Sequence, residues 1–403
     1  MNEPRRCAHC DPYVRDGRHI IEKIDMLLAP AAEAVSAFEL YLRRFLRIKN
    51  SLFLKVLLRL GILQEIEAED DNEALYNRSL VVVREARKRG IAIKAIMFGR
   101  RGTNVYSVER NGRKVFFVAL PHLLVDDYFQ EPLDDKSELK NLLSVCGFPH
   151  PAGALCTRYR QALKFVRTQV GFPVVVKPNA QSLSLHVTCN VRNEKQLEEA
   201  VRAARQISKN CIVEEHIEGE VFRISVLNGE VLASCRREPP SVVGDGRSSI
   251  RQLVEMKNAE SQCGWQHQKN HTLHKISVSA GVLKALLSRG LGLDSTLAPG
   301  QKVYLHNKLI LACGADIDDV TDLVHPANKE LFSAVAALAK RPLVGIDFIA
   351  PDISRPHYEQ KCGIIEINSA PYIDMHLYPT RGTPRNVADR LLDYCFANMP
   401  AYK

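Results

Sequence analysis

Three oxygen-bearing side chains stand in two short apolar runs near the C-terminal end of the chain. Asp347 lies in Gly345-Ile346-Asp347-Phe348-Ile349, and Glu366 and Asn368 lie in Gly363-Ile364-Ile365-Glu366-Ile367-Asn368-Ser369-Ala370-Pro371. Runs this short and aliphatic read as strands, and residues two apart on a strand share a face. Glu366 and Asn368 therefore point the same way, and Asp347 joins them if the two strands pair. Hard oxygen donors of this kind suit Mg²⁺, which is usually held by one or two carboxylates plus substrate phosphates. The chemistry implied is that of a nucleoside triphosphate, handled without a P-loop.

Other groups extend that chemistry. Lys177 follows three valines and precedes Pro178, at the end of an apolar strand where a charge needs a partner. A phosphate would serve; a side chain reaching solvent is the plainer reading. Lys136 and Lys140 sit four apart on one helical face, where either would reach a phosphate or simply meet water. Val213-Glu214-Glu215-His216-Ile217-Glu218-Gly219-Glu220 runs from a strand into an acidic segment. Backbone groups after such a strand can meet a purine edge, and a carboxylate can accept from ribose hydroxyls. Arg223, Arg236 and Arg237 fall on the next strands, either as clamps for a phosphate or carboxylate or as surface charge.

Three further clusters read as structure. Asp316, Asp318, Asp319 and Asp322, ahead of His325-Pro326, are expected in a solvated loop in preference to a second metal site. Ser241 to Gly246 is a loop by its glycines. Cys7-Ala8-His9-Cys10 has a zinc knuckle's spacing, but only His9 and His19 lie near, and no second cysteine pair follows at a suitable distance.

The elements that must position these groups follow from periodicity. Ile20 to Leu63 carries helical spacing, closed by the acidic stretch Glu65 to Asp71. We read residues 1–72 as a helical N-terminal arm for packing or self-association. Residues 73–134 alternate: a helix to Arg89, a strand Ala92 to Phe98, then a hairpin about Asn111-Gly112. From 135 onward come helices at 135–149, Gln161 to Gly171 and Glu194 to Lys209, the last capped by Asn193. Between and after them lie strands Pro173 to Lys177, Val187 to Val191, Cys211 to His216, Val221 to Leu227 and Val231 to Arg237. Sequential strands, helices and hairpins argue for α/β or α+β domains.

Composition sets the bounds. A chain of 403 residues, 46% hydrophobic and 25% charged, is an ordinary globular protein of several domains. Its formal charge of +9 is spread along the chain, which favours anionic ligands without indicating nucleic acid. The polar start MNEPRRCAHCDPYVRDGRH reads as no secretory signal. The longest apolar run, Leu52 to Leu63, is broken by Lys55 and Arg59 and cannot span a bilayer. The eleven cysteines read as reduced thiols of a cytoplasmic protein.

Read together and in order, these pieces resemble the ATP-grasp superfamily, and within it the ligase portions of cyanophycin synthetase and of bifunctional glutathione synthetases. The resemblance covers about residues 135 to 395. It is carried by DDKSELKNLL with G-F-P-x-P-x-G, GFPVVVKP, VEEHIEGEVFRISVLNGEV, RREPPSVVGDGRSSIRQLVEMKN, DDVTDLVHPAN, GIDFIAPDI and IIEINSAPYIDMHLYPTRGTPR. It implies an α+β fold whose two subdomains clasp ATP, formed by residues 135–403 behind the arm and a small α/β pre-grasp-like domain at 73–134.

The resemblance also implies roles. Asp347, Glu366 and Asn368 would ligate Mg²⁺, and Lys140 and Lys177 would meet phosphates. Glu214, Glu215, His216 and Ile217 would line the adenine hinge, and Glu220 would bind ribose. Arg223 and Arg237 would stabilise the transferring phosphate. The implied activity is an ATP-dependent carboxylate–amine ligase making an amide through an acyl phosphate, with amino acids or a short peptide as substrates. The chain departs from its relatives at Asn179–His186, which has no glycine where they carry a glycine-rich phosphate loop; Ser184 and His186 stand in glycine places. Val221 replaces a frequent Asp, and Ile310 to Ala315 replaces a Ser/Thr-rich loop expected to face substrate. The length fits neither relative entire, so a stand-alone ligase is expected. The alternatives are a non-catalytic ATP-binding protein that engages a partner through its helical arm, and a nucleic-acid or carrier-protein binder built on the basic N-terminus.

Overall fold

The computed structural model describes residues 50–127, 136–179, 186–260, 262–306, 309 and 311–403. The Cys7–Cys10 knuckle, the amphipathic pattern before residue 50 and loop residues 180–185 lie outside them.

The first layer is an antiparallel sheet of β1 (Gln64–Glu67), β2 (Ile93–Phe98), β3 (Arg101–Arg110) and β4 (Arg113–Val118), in that order. Asn111 and Gly112 both take positive φ, as a tight hairpin between right-twisted strands requires. β1 differs from expectation. The acidic stretch after Leu63 does not close a helical arm; Gln64 to Glu67 pairs with Met97 to Lys94. Its carboxylates are satisfied there, Glu65 by Lys114 at 2.8 Å and Glu67 by Lys94 at 3.2 Å. The sheet therefore begins ahead of residue 72. The helix Asn50–Arg59 lies on it through Leu54, Leu57 and Leu58, against Leu63, Ile96 and Phe116.

The second layer is β5 (Gly153–Cys156), β6 (Val174–Pro178), β7 (Thr188–Val191) and β8 (Cys211–Glu215), antiparallel in the order β5-β8-β6-β7. The helix Glu194–Ala204 covers it, its first turn held by Asn193, whose side-chain oxygen accepts from the Gln196 N–H at 2.9 Å. Cys156, Val174, Val176, Leu197, Val201 and Val213 give this layer a core of its own.

The third begins with β9 (Glu220–Leu227) and β10 (Glu230–Glu238), joined at Asn228-Gly229. An excursion follows, tied by the ribbon β11 (Ser241–Val243) and a short parallel bridge of β12 (Cys263–Gly264) with β13 (Leu273–His274). It returns through β14 (Lys302–Tyr304), which pairs with β11. Its helices Ile250–Asn258 and Ala280–Leu287 close over Val242 and Val303. The segment before β13 docks on the first layer: the Lys269 N–H donates to Glu73 O at 3.2 Å, and the Asn77 N–H to Lys269 O at 2.9 Å. The chain's single tryptophan, Trp265, is half exposed there with the Lys275 ammonium 4.8 Å from its ring centre.

β15 (Asp316–Asp319), β16 (Leu343–Ala350) and β17 (Gly363–Asn368) complete an antiparallel sheet in the order β15-β10-β9-β16-β17. One face buries Phe222, Ile224, Ile346 and Phe348 under the helix Pro326–Ala337, with Phe332 and Phe348 edge to face at 5.1 Å. On the other face, Leu227, Ala233 and Leu343 share one core with Leu80, Tyr106 and Phe117 of the first layer. No helix among the described residues is long and apolar enough to cross a membrane.

Of the histidines in this frame, His122 and His376 are buried and His274 is half-buried. Burial pulls the imidazoles of His122 and His274 down to about 4 and that of His376 to about 3. They are neutral in the fold, whereas an unfolded chain protonates them near pH ~6.5. Between these values the unfolded state binds more protons, so stability falls with falling pH, by up to about 1.4 kcal/mol per pH unit for each histidine. Urea midpoints are expected to hold above pH ~7 and to drop steadily from ~6.5 to ~4. A flat profile through that window would show these rings to be solvated.

Candidate active site

A cavity of about 460 Å³ separates the second layer from the five-stranded sheet. Lys177, Glu214, Glu215, His216 and Ile217 wall it on the side of the second layer, and Glu220, Arg237, Asp347 and Glu366 on the side of the five-stranded sheet.

On the first side, β8 places Glu214 opposite Val175 of β6 and Gly153 of β5. Its carboxylate lies between two ammoniums, Lys177 Nζ at 2.7 Å and Lys140 Nζ at 2.6 Å, and all three side chains are buried. Lys140, from the helix Lys136–Val145, also donates to Pro151 O at 2.8 Å. Gly153 makes room for the cluster, since a Cβ there would sit 3.0 Å from Glu214 Cβ and 3.1 Å from Lys140 Cε. Burial raises the Glu214 carboxyl, but the Lys177 and Lys140 ammoniums outweigh it and hold it below its usual value. Burial leaves the Lys140 ammonium below its usual value despite Glu214. Thus Lys177 does not reach solvent. Lys140 is turned to Glu214 and stands behind the cavity wall, which Lys136 joins one turn earlier.

The rest of the segment is held from outside. Glu215 accepts from the Ala152 N–H at 3.0 Å and pairs with Lys361 at 2.6 Å. The His216 N–H donates to Pro173 O at 3.1 Å, Ile217 is buried, and Glu220 pairs with Arg236 at 2.9 Å. Gly219 sits so close to β16 that a Cβ would lie 2.5 Å from the Ala350 carbonyl carbon. Gly219→Ala is therefore expected to lower stability by about 1–3 kcal/mol and to weaken binding of an ATP analogue, both measurable by calorimetry. Unchanged affinity would mean that this turn does not shape the cavity.

On the second side, β16 and β17 pair Asp347 with Glu366 and Gly345 with Asn368, so the three side chains share a face. A register shift after Asp347 leaves Ile365 as an extra residue. Such bulges bend a strand and re-aim its side chains. Asn368 is half buried and stands behind the wall, its amide 3.5 Å from Gly345 O. Asp347 accepts from Arg223 through Nε and, at 3.2 Å, through Nη2; Arg237 Nη2 reaches its Oδ2 at 2.9 Å. Burial works against this carboxylate, but Arg223 and Arg237 outweigh it and hold the group below its ordinary value. Asp347 in turn raises Arg223 against its own burial. Arg223 is buried and takes no part in the cavity wall, whereas Arg237 does.

The donor set can be tested against a divalent metal. Among the described residues no cluster of three or more His, Cys, Asp or Glu could hold an ion alone. Two carboxylates on one face with an amide beyond them make an incomplete hard-oxygen set that needs ligands from the cavity. That fits Mg²⁺ completed by phosphates.

Two expectations change. Asp316, Asp318 and Asp319 are not in a solvated loop but on β15, an edge strand against β10. They persist there because each meets a cation: Lys257 at 2.6 Å for Asp316, Arg236 at 2.7 Å for Asp318, and Arg385 at 3.0 Å for Asp319. In Ile310 to Ala315, the residues Ala312, Cys313 and Ala315 are buried, and it is the preceding Leu309 that faces the cavity. Sequence reading also missed Glu238 and Tyr304 on the wall, and Ser225 Oγ against His376 Nε2 at 2.8 Å beneath Arg223. The last contact joins residues too far apart in the chain for any local pattern to disclose it.

Two α+β layers closing on one cavity, with paired carboxylates on the larger sheet, make an ATP-grasp fold. Residues 153–293 match the family model described as D-ala D-ala ligase C-terminus. Over 264 residues the chain is 34% identical to cyanophycin synthetase of Trichormus variabilis, covering 66% of this chain and 29% of that protein. It is 28% identical over 328 residues to the glutathione biosynthesis bifunctional protein GshAB of Clostridium perfringens, covering 80% of this chain and 41% of the other. The crystal structure of a bifunctional glutathione synthetase from Pasteurella multocida superposes with a TM-score of 0.62 at 24% identity, over 81% of this chain and 45% of that one. The chain has the ATP-grasp fold and is homologous to these proteins over the shared span, which is less than half of their length.

Proposed function

We propose that this chain is an ATP- and Mg²⁺-dependent carboxylate–amine ligase acting on amino acids or a short peptide. ATP would phosphorylate a substrate carboxylate, and an amine would displace phosphate from the acyl phosphate, leaving an amide, ADP and phosphate. The observation that carries this reading is the cavity itself, which faces Lys177 across to Arg237, Asp347 and Glu366. Phosphoryl transfer asks a protein mainly to position its reactants and to stabilise charge. Lys177 and Arg237 are the cations placed to do so, and the segment Glu214–Ile217 with Glu220 offers the nucleoside edge. Asp347, Glu366 and Asn368 would hold Mg²⁺, which neutralises phosphate charge when bound. Lys140 keeps Glu214 and thereby Lys177 in place, and Arg223 does the same for Asp347.

The relatives bear on the substrate only by their names, a cyanophycin synthetase and a glutathione biosynthesis protein. All nine described cysteines are free, which supports a cytoplasmic setting. The test is phosphate and ADP release with Mg-ATP across pairs of amino acids and short acidic peptides, with mass spectrometry of the products. An amide formed in step with ADP is the expected outcome. ATP binding without ADP release on any pair would favour a non-catalytic protein that engages a partner. His186 keeps that second reading in play: it holds a glycine-like φ of 52° while its Nδ1 lies 2.6 Å from Ala203 O, at the edge of the glycine-free loop.

A further inference from the structure

Asp347 has both carboxylate oxygens engaged by guanidinium groups, but the two arginines are not equivalent. Arg223 grips it from beneath, through Nε and Nη2, and is buried away from the cavity. Arg237 makes a single contact, Nη2 to Oδ2 at 2.9 Å, and forms part of the cavity wall beside Glu366. Its Nε is buried without a hydrogen-bond partner. A ligand entering the cavity thus reaches Arg237 and not Arg223.

We propose that Arg237 occupies the metal-binding side of Asp347 in the nucleotide-free protein, so that the divalent ion enters only together with a nucleotide. This rests on the ligase reading above. The charges give the reason. Arg223 and Arg237 balance Asp347 and Glu366, so a lone divalent cation approaching Asp347 would meet two guanidiniums on a group of four side chains with no net charge. A polyphosphate supplies that charge and offers Arg237 a stronger, bidentate partner. Drawing Arg237 onto phosphate removes the shorter of the two contacts on Oδ2 of Asp347, leaves that oxygen only the 3.2 Å contact from Arg223 Nη2, and sets two carboxylates against one remaining arginine. The side chain that would later steady the transferring phosphate therefore also guards the site against metal binding before nucleotide. Arg223 stays in both states and keeps Asp347 aimed.

Mn²⁺ binding, followed by electron paramagnetic resonance on the full chain, tests this without turnover. In the wild type, a non-hydrolysable ATP analogue is expected to raise Mn²⁺ affinity by at least about tenfold. Arg237→Gln is expected to raise affinity for Mn²⁺ alone by a similar factor, and Arg237→Lys, which keeps the charge, to raise it less. Thermal melts of both variants establish that they are folded. Wild-type Mn²⁺ affinity indifferent to the analogue, or no gain in Arg237→Gln, would overturn the proposal while leaving the ligase reading intact. Failure of Mn²⁺ to bind even with the analogue, or binding that survives Asp347→Asn, would overturn both.

Discussion

Exchanging Glu366 for Gln is expected to cut ADP formation by about 10²–10³-fold while leaving the unfolding midpoint almost unchanged. Asp347→Asn is expected to lose activity to the same degree and stability besides. Both carboxylates face the cavity from paired positions on β16 and β17, so either change weakens the site that would carry metal and phosphate. Their surroundings differ. Glu366 is half buried, whereas Asp347 is buried with two guanidiniums upon it. An isosteric amide at 347 keeps the shape and removes the counter-charge, and breaking a buried ion pair in this way costs about 3–5 kcal/mol. Steady-state ADP release and urea unfolding of the two variants separate these effects. Normal turnover by Glu366→Gln would remove the metal assignment. An Asp347→Asn as stable as wild type would mean that the arginine contacts contribute nothing.

The second large effect is expected at Glu214. Its replacement by Gln leaves the ammoniums of Lys140 and Lys177 facing each other in a buried place with no anion between them. A loss of about 3–5 kcal/mol is expected, read as a lower urea midpoint. The cost arises from stranding charge, so removing all of it should restore stability. The combination Lys140→Met, Glu214→Leu and Lys177→Met is expected to recover most of the loss, because well-packed apolar groups often replace a buried ion cluster without penalty. It should not recover affinity for an ATP analogue, because Lys177 is on the cavity wall. A triple variant that binds the analogue normally would free Lys177 from any phosphate role. One as unstable as Glu214→Gln alone would show that the cluster stabilises by more than charge balance.

Local order made much of this molecule readable in advance. Alternation alone put Glu366 and Asn368 on one face, and pairing with β16 brought in Asp347. Asn111-Gly112 announced its hairpin, and Asn193 its helix. What could not be read is pairing at a distance. Lys177 looked like a strand-end lysine bound for water because Glu214, its partner, is on another strand of the sheet. Arg223 read as a clamp for a phosphate or a carboxylate, or as surface charge, and only the register of β9 with β16 shows it set opposite Asp347 and buried there. The aspartates of β15 looked like a loop because an acid-rich run has no apolar alternation, and their cations come from elements far away in the chain. β1 was hidden for the same reason, with Lys114 supplying the charge that Glu65 needs.

Trp265 has a practical consequence for how this protein is watched in solution. As the chain's single indole, it dominates intrinsic emission, yet it sits on the segment docked against the first layer and not in the cavity wall. Its spectrum will report the undocking of that segment, with the Lys275 cation over the ring setting the folded baseline. A nucleotide titration followed at this wavelength can be silent while the cavity fills, so optical detection of binding calls for a label placed on the second layer.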